Sequence, residues 1–170
     1  MTPLTFFPPD FLPKHSHPSE FAQAFATLGS QLLLPSELIS LANAALWLQV
    51  PANSKLFDEG SIQPYLFLIE SGQIQLQMRA PGRPNVKILS LSTGQLIAWS
   101  ALNPNQPMTC SANTTAPSVL LAIPSPQLLS LANANPSFGV AFYQRITNAL
   151  SQRLTATRLQ LLDLYHPHQS

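Results

Sequence analysis

A mainly β fold with flanking helices, built as an antiparallel double-sheet roll, is what this sequence predicts, and three observations carry it. Between Trp47 and Ile123 the chain breaks into short apolar segments separated by turn residues at intervals of about eight to twelve positions, the pattern of an antiparallel roll or sandwich. On both sides of that block the apolar period becomes helical, over residues 19–46 and 124–165. Four of the six glycines, Gly60, Gly72, Gly82 and Gly94, stand at the breaks of the strand block, where the backbone needs positive φ.

Residues 1–18 carry Pro3, Pro8, Pro9, Pro13 and Pro18 and read as an arm without regular structure. Phe6, Phe7, Phe11 and Leu12 are too apolar for a solvated tail, so the arm is expected to dock on the domain or on a partner. Residues 19–46 read as two helices. In SEFAQAFATLG, Ser19 caps, Phe21 and Phe25 fall at i and i+4, and Gly29 ends the helix. The second, PSELISLANAAL, has Pro35 and Ser36 at its head and Leu38, Leu41 and Leu46 on one side.

Within the roll, residues 47–123, the strands are WLQV (47–50), SKLF (54–57), YLFLIES (65–71), QIQLQMR (73–79), VKILSL (86–91) and VLLAI (119–123). Alternation in QIQLQMR sends Ile74, Leu76 and Met78 to one face and the glutamines with Arg79 to the other. Residues 124–165 begin with a short helix near Ser125 and continue in a long one from Pro136 to Tyr165, with Gly139 its awkward member. Phe138, Phe142, Ile146 and Ala149 form a stripe suited to packing on the roll. Leu150, Leu154, Thr157, Leu161 and Leu164 follow 4-3-4-3 spacing, the seam of two helices side by side, and so predict a homodimer contact. Residues 166–170 are a short tail.

Composition narrows the function. A chain of 170 residues is one domain in size, 45% hydrophobic and only 9% charged, with formal net charge +1. Its eight Lys and Arg residues are scattered, which disfavours nucleic acid as a partner because phosphate neutralisation needs clustered cations. Cys110 is the only cysteine, between Thr109 and Ser111, and reads as a small strand residue in a reducing compartment. Pro8, Pro9 and Asp10 interrupt the opening apolar residues, and no basic start precedes them, unlike a secretory signal. With no apolar stretch near the roughly 20 residues of a bilayer span, a cytoplasmic protein is expected.

An enzyme is not expected, nor a cofactor. The four histidines, His15, His17, His166 and His168, all lie in the tails, so no imidazole reaches the roll interior to bind metal as in a metal cupin. Nucleophile signatures, a phosphate loop and a dinucleotide fingerprint are missing, and the acid pair Asp58–Glu59 sits at a turn.

The order of elements resembles the cyclic-nucleotide-binding domain of the catabolite-activator and protein-kinase-A-regulatory families. VPANSKLFDEG resembles their opening strands, ending in the turn at Glu59 and Gly60. YLFLIESGQIQLQ resembles the central hairpin, and PGRPNVKILSLSTGQLIAWSAL the next hairpin, the turn at Gly94 and the entry to the phosphate-binding cassette. The similarity spans residues 36–162 and implies an eight-stranded roll with a helical lid, acting as a non-catalytic regulatory or binding module.

The cassette departs from the family pattern. Where the family has Gly, Glu and Arg, this chain has Ala98, Trp99 and Met108, while Pro107 still matches. Trp99, Ser100, Ala101 and Leu102 resemble a G-W-S-A-L version found in some bacterial relatives. A buried cyclic phosphate without a cationic partner is expensive, and no charged side chain occurs from Ile88 to Gln144. Ser100, Thr109, Cys110 and their neighbours offer only neutral groups, so weak or absent binding of cyclic AMP and cyclic GMP is expected. Trp99 either fills the vacated pocket or stacks on a flat ring of a different ligand, and a cavity beside it separates the two cases. The remaining alternative is a protein-interaction module. Relatives that bind DNA carry a helix-turn-helix after the long helix, for which the few residues after Tyr165 leave no room.

Overall fold

The run YLFLI is apolar at every position, a pattern suited to a strand covered on both faces. A computed structural model of the chain, describing residues 7–14, 18–28 and 30–165, shows that arrangement. The run forms β4 (Tyr65–Ser71), inside a five-stranded sheet that also contains β1 (Leu12–Pro13), β2 (Leu46–Val50), β7 (Leu96–Ile97) and β9 (Ser118–Pro124), in the order β1-β2-β9-β4-β7. Facing it, a four-stranded sheet runs β3-β8-β5-β6, with β3 Lys55–Phe57, β5 Gln73–Ala80, β6 Arg83–Ser92 and β8 Ser111–Thr114. All pairings are antiparallel.

The strand period of two divides the larger sheet between two cores. Tyr65, Phe67 and Ile69 of β4 point into the roll with Leu48, Val50, Leu120 and Ala122. Leu66 and Leu68 point the other way, with Trp47, Leu121 and Ile123, into a helical layer. That layer contains α1 (Pro18–Phe25), α2 (Pro35–Ala44), α3 (Ser125–Ala134) and α4 (Pro136–Tyr165). Rings of Phe21, Phe25, Phe138 and Phe142 follow one another at centroid spacings of 5.2, 6.0 and 5.8 Å, stapling α1 to α4.

Asn135 joins the helices. Its side-chain oxygen accepts from the Phe138 N–H at 3.1 Å and so caps α4, with Pro136 as the first helical residue. Its amide nitrogen donates to the Leu32 carbonyl and to the Glu37 carboxylate, each at 3.1 Å. Glu37 also accepts from the Leu34 N–H at 2.8 Å, closing the start of α2. Gly139 is explained by a close approach: a Cβ there would lie 2.4 Å from the Ala132 carbonyl oxygen of α3.

Several expectations are corrected. The arm is not wholly irregular: Leu12–Pro13 pairs with β2 as a ninth strand beside the expected eight. It does dock, since Phe7 and Phe11 are buried and Phe7 meets Tyr65 at 5.1 Å, while Phe6 lies outside the described residues. Lys14 fixes the arm, pairing with Glu70 at 2.8 Å and lying 4.7 Å over the Trp47 ring. The first helix ends at Phe25 and passes into a 3-10 turn, Ala26–Leu28, and the expected stop at Gly29 lies outside the described residues. Leu46 opens β2 and packs on the roll core instead of joining Leu38 and Leu41. Met78 is exposed, because the β5–β6 hairpin shifts register between Leu76 and Gln77 and runs on past the core.

Two substitutions test this frame. All four break glycines have positive φ, but Gly72 is also crowded: a Cβ would sit 2.6 Å from the Ser118 Cα. Gly72→Ala is therefore expected to cost more than about 3 kcal/mol in urea unfolding, combining backbone strain with overlap. Asn135→Ala, which removes a cap and two cross-links, is expected to cost about 1–2 kcal/mol in the same assay.

Candidate functional site

The cassette segment leaves β7, turns sharply and returns as β8. Ala98 takes the place of the resemblance's glycine and retains its left-handed backbone, with φ 65° and ψ 36°. A 3-10 turn, Trp99–Leu102, follows, closed by the Ala101 N–H donating to the Ala98 carbonyl at 3.0 Å. Farther along, the Met108 N–H donates to the Ser61 carbonyl and the Met108 carbonyl accepts from the Gly60 N–H, both at 2.8 Å. The end of the segment is thus held against the turn between β3 and β4.

Six of the eight expected site residues come together. Ala98, Trp99, Ser100, Met108, Thr109 and Cys110 surround a common point, joined by Phe57 and Leu76 from the roll and by Arg153 from α4. Ala101 faces the opposite side of the turn, and Pro107 is exposed. The space they enclose is about 10 Å³. That leaves room for about one water and far less than a nucleotide needs, since ligand pockets run to roughly 300–1,000 Å³. Met108, where the resemblance implies a phosphate-binding arginine, is buried in the roll core.

Arg153 was not anticipated as a site residue. Its guanidinium lies 3.8 Å over the Trp99 ring centroid and donates to the Leu96 carbonyl. No carboxylate pairs with it among the described residues. Burial lowers its pKa to about 10, partly opposed by Cys110, so it stays charged at neutral pH. The sequence carried a signal: Arg153 falls four residues after Ala149 and seven after Ile146, on the stripe begun by Phe138 and Phe142. A cation on that stripe has to find a buried acceptor or an aromatic face.

Burial pushes the Cys110 thiol up; the Arg153 cation opposes it, Glu59 adds a lesser push, and a hydrogen bond with Thr109 a lesser pull. Of the expected helix seam, Leu150 and Leu154 are exposed and Thr157 half-buried, while the Leu161 and Leu164 side chains lie outside the described residues. Among the described residues no helix is long and apolar enough to cross a membrane. Among the described residues no group of three or more His, Cys, Asp and Glu is placed to hold a metal.

A double-sheet roll with a turn-bearing cassette and a helix crossing it defines the architectural class of the domain. The sequence model of the cyclic nucleotide-binding domain matches residues 47–135, just over half of the chain, and the chain belongs to that family. A cyclic nucleotide-binding domain from Methylobacillus flagellatus KT superposes with TM-score 0.76 at 19% identity, covering 91% of this chain and 89% of that one. The sensor domain of the transcriptional regulator DNR from Pseudomonas aeruginosa gives 0.68 at 15% identity, covering 81% and 93%. The Thermus thermophilus catabolite activator protein gives 0.61 at 22% identity, with 78% of this chain on 61% of that one. No curated protein matches the sequence.

The raised thiol pKa has a direct readout. Cys110 in the native chain is expected to alkylate with iodoacetamide at pH 8 at least about tenfold more slowly than in urea. Because the unfolded thiol ionises first, this group should also lower stability as pH rises through the ordinary thiol range and above it.

Proposed function

We propose that this chain is a non-catalytic regulatory module of the cyclic nucleotide-binding family whose cassette is closed by its own side chains and which acts through protein contacts. The supporting observation is the filled site: about 10 Å³ beside Trp99, with Arg153 stacked over the indole. A cyclic nucleotide would have to open that space beside an indole that packs on the helical layer under the Arg153 cation. It would also leave its phosphate without the arginine that Met108 replaces. Ala98, Trp99, Ser100, Met108, Thr109 and Cys110 therefore serve as packing in this reading, and a different flat ligand meets the same obstruction. The protein acts in the cytoplasm, where the single thiol stays free.

The contact surface in this reading is the distal half of α4, where Leu150 and Leu154 are 45% and 53% exposed at seam spacing. Thr157, Leu161 and Leu164 continue that spacing, and a second copy of the same helix is the partner that would cover it. Burying each half-exposed leucine against a partner contributes about 0.8–1.5 kcal/mol before association costs, half the value for full burial.

Calorimetric titration with cyclic AMP and cyclic GMP, on protein whose mass is followed by light scattering, tests both parts. The expected result is no saturable heat from a dimer. The pair Trp99→Glu and Met108→Arg should restore measurable binding if the cassette frame is intact. The pair Leu150→Glu and Leu154→Glu should weaken self-association at least about tenfold. Micromolar binding by the native chain would refute the closed cassette, and a monomer at all concentrations would refute the seam.

A further inference from the structure

We propose that the cleft behind the cassette turn is a second binding site, for a small uncharged molecule that presents N–H or O–H donors on an apolar body, such as a carboxamide. The cleft lies between the β3–β4 connection, the far side of the Trp99–Leu102 turn and the start of α3, and has a volume of about 260 Å³. Ile62, Pro64, Ala101 and Leu129 supply apolar walls, and no lining residue carries a charge. An ion entering would therefore lose its hydration without a countercharge, so the ligand is neutral.

Among the described residues, only two buried side-chain atoms lack a hydrogen-bond partner, Gln63 Oε1 and Ser125 Oγ, and both belong to residues lining this cleft. Gln63 is 4% exposed and Ser125 2%. Buried polar groups are ordinarily paired, and two orphans at one cleft need a reason. Local structure does not supply partners. The Ser125 N–H already donates to the Pro64 carbonyl at 2.9 Å, leaving the hydroxyl alone unused. Across the cleft, the Asn103 side-chain N–H donates to Gln106 Oε1 at 2.7 Å, so that donor is directed at Gln106 and not at either orphan.

Gln63 Oε1 can only accept, and Ser125 Oγ can accept and donate, so a primary amide matches the pair: its N–H groups meet the acceptors and its carbonyl takes the hydroxyl proton. Both oxygens are shielded in the empty chain. Binding therefore requires a turn of the Ser125 or Gln63 side chain toward the cleft, opposed by rotamer strain and favoured by the partner each atom gains. An occupant touching Ala101 would press on the same turn that holds Trp99.

The test is a titration of the full chain with benzamide and N-methylacetamide, followed by amide chemical shifts and thermal unfolding. The expected result is saturable shifts centred on Ala101, Ser125 and Leu129 with at least one probe. Ser125→Ala, which deletes one orphan, should leave the midpoint of unfolding unchanged or raised while weakening binding about fivefold or more. Leu129→Phe, which narrows the cleft and leaves both oxygens in place, should abolish binding, and it carries the test if Ser125→Ala fails to fold. The proposal is overturned if neither probe saturates, if the shifts centre elsewhere, or if binding survives both substitutions. Neither variant touches Trp99 or Arg153, so a failure here leaves the closed cassette standing.

Discussion

Everything in this fold depends on one sheet having apolar surface on both of its faces. β4 and β9 hold the roll on one side and the helices on the other, so neither core can form without the other's wall. Consecutive apolar residues along β4 are the sequence's statement of that constraint. The four phenylalanines of the helical layer matter for the same reason, because they hold α4 in register across the back of the sheet. Only with α4 in place does Arg153 arrive above Trp99.

How much was legible follows from what each element asks of its residues. β4 was placed to the residue because a doubly covered strand has to be apolar throughout. α4, Pro136–Tyr165, was equally clear from its period and its opening proline. β8 was missed because it reads SANT: buried Ser111 and Thr114 satisfy their hydroxyls locally, Thr114 donating to the Pro51 carbonyl at 2.6 Å, so burial left no apolar pattern. β7 is two residues long and shows no period. The cassette was locatable through its flanking turns, and its loss of charge was visible in composition. Arg153 escaped because it arrives from a helix distant in sequence, and only packing brings it to the cassette.

The cassette of this chain is held by stacking and packing, not by charge pairing. In the resemblance, an arginine inside the roll awaits an anion. Here Met108 has joined the core, and the cation comes from α4 to lie on an indole, with a backbone carbonyl as its acceptor. Such a contact is less costly to bury than an unpaired charge, because the guanidinium is weakly hydrated and its ring partner is itself apolar. Ala98 belongs to the same packing: it holds the left-handed turn that glycine makes freely, and gives a methyl group to the core in return.

The short strand β1 has an effect beyond docking the arm. It lies outermost in its sheet, and any outermost strand presents open backbone groups on which another chain can build. Pro13 lacks an N–H, and the strand is only two residues long, so β1 offers little to copy. At the outer edge of the other sheet, β6 carries Pro84 and Lys87. A chain with so few charges cannot rely on electrostatic repulsion to keep its copies apart. Its sheet edges do part of that work through backbone chemistry, by giving runaway strand addition little to build on.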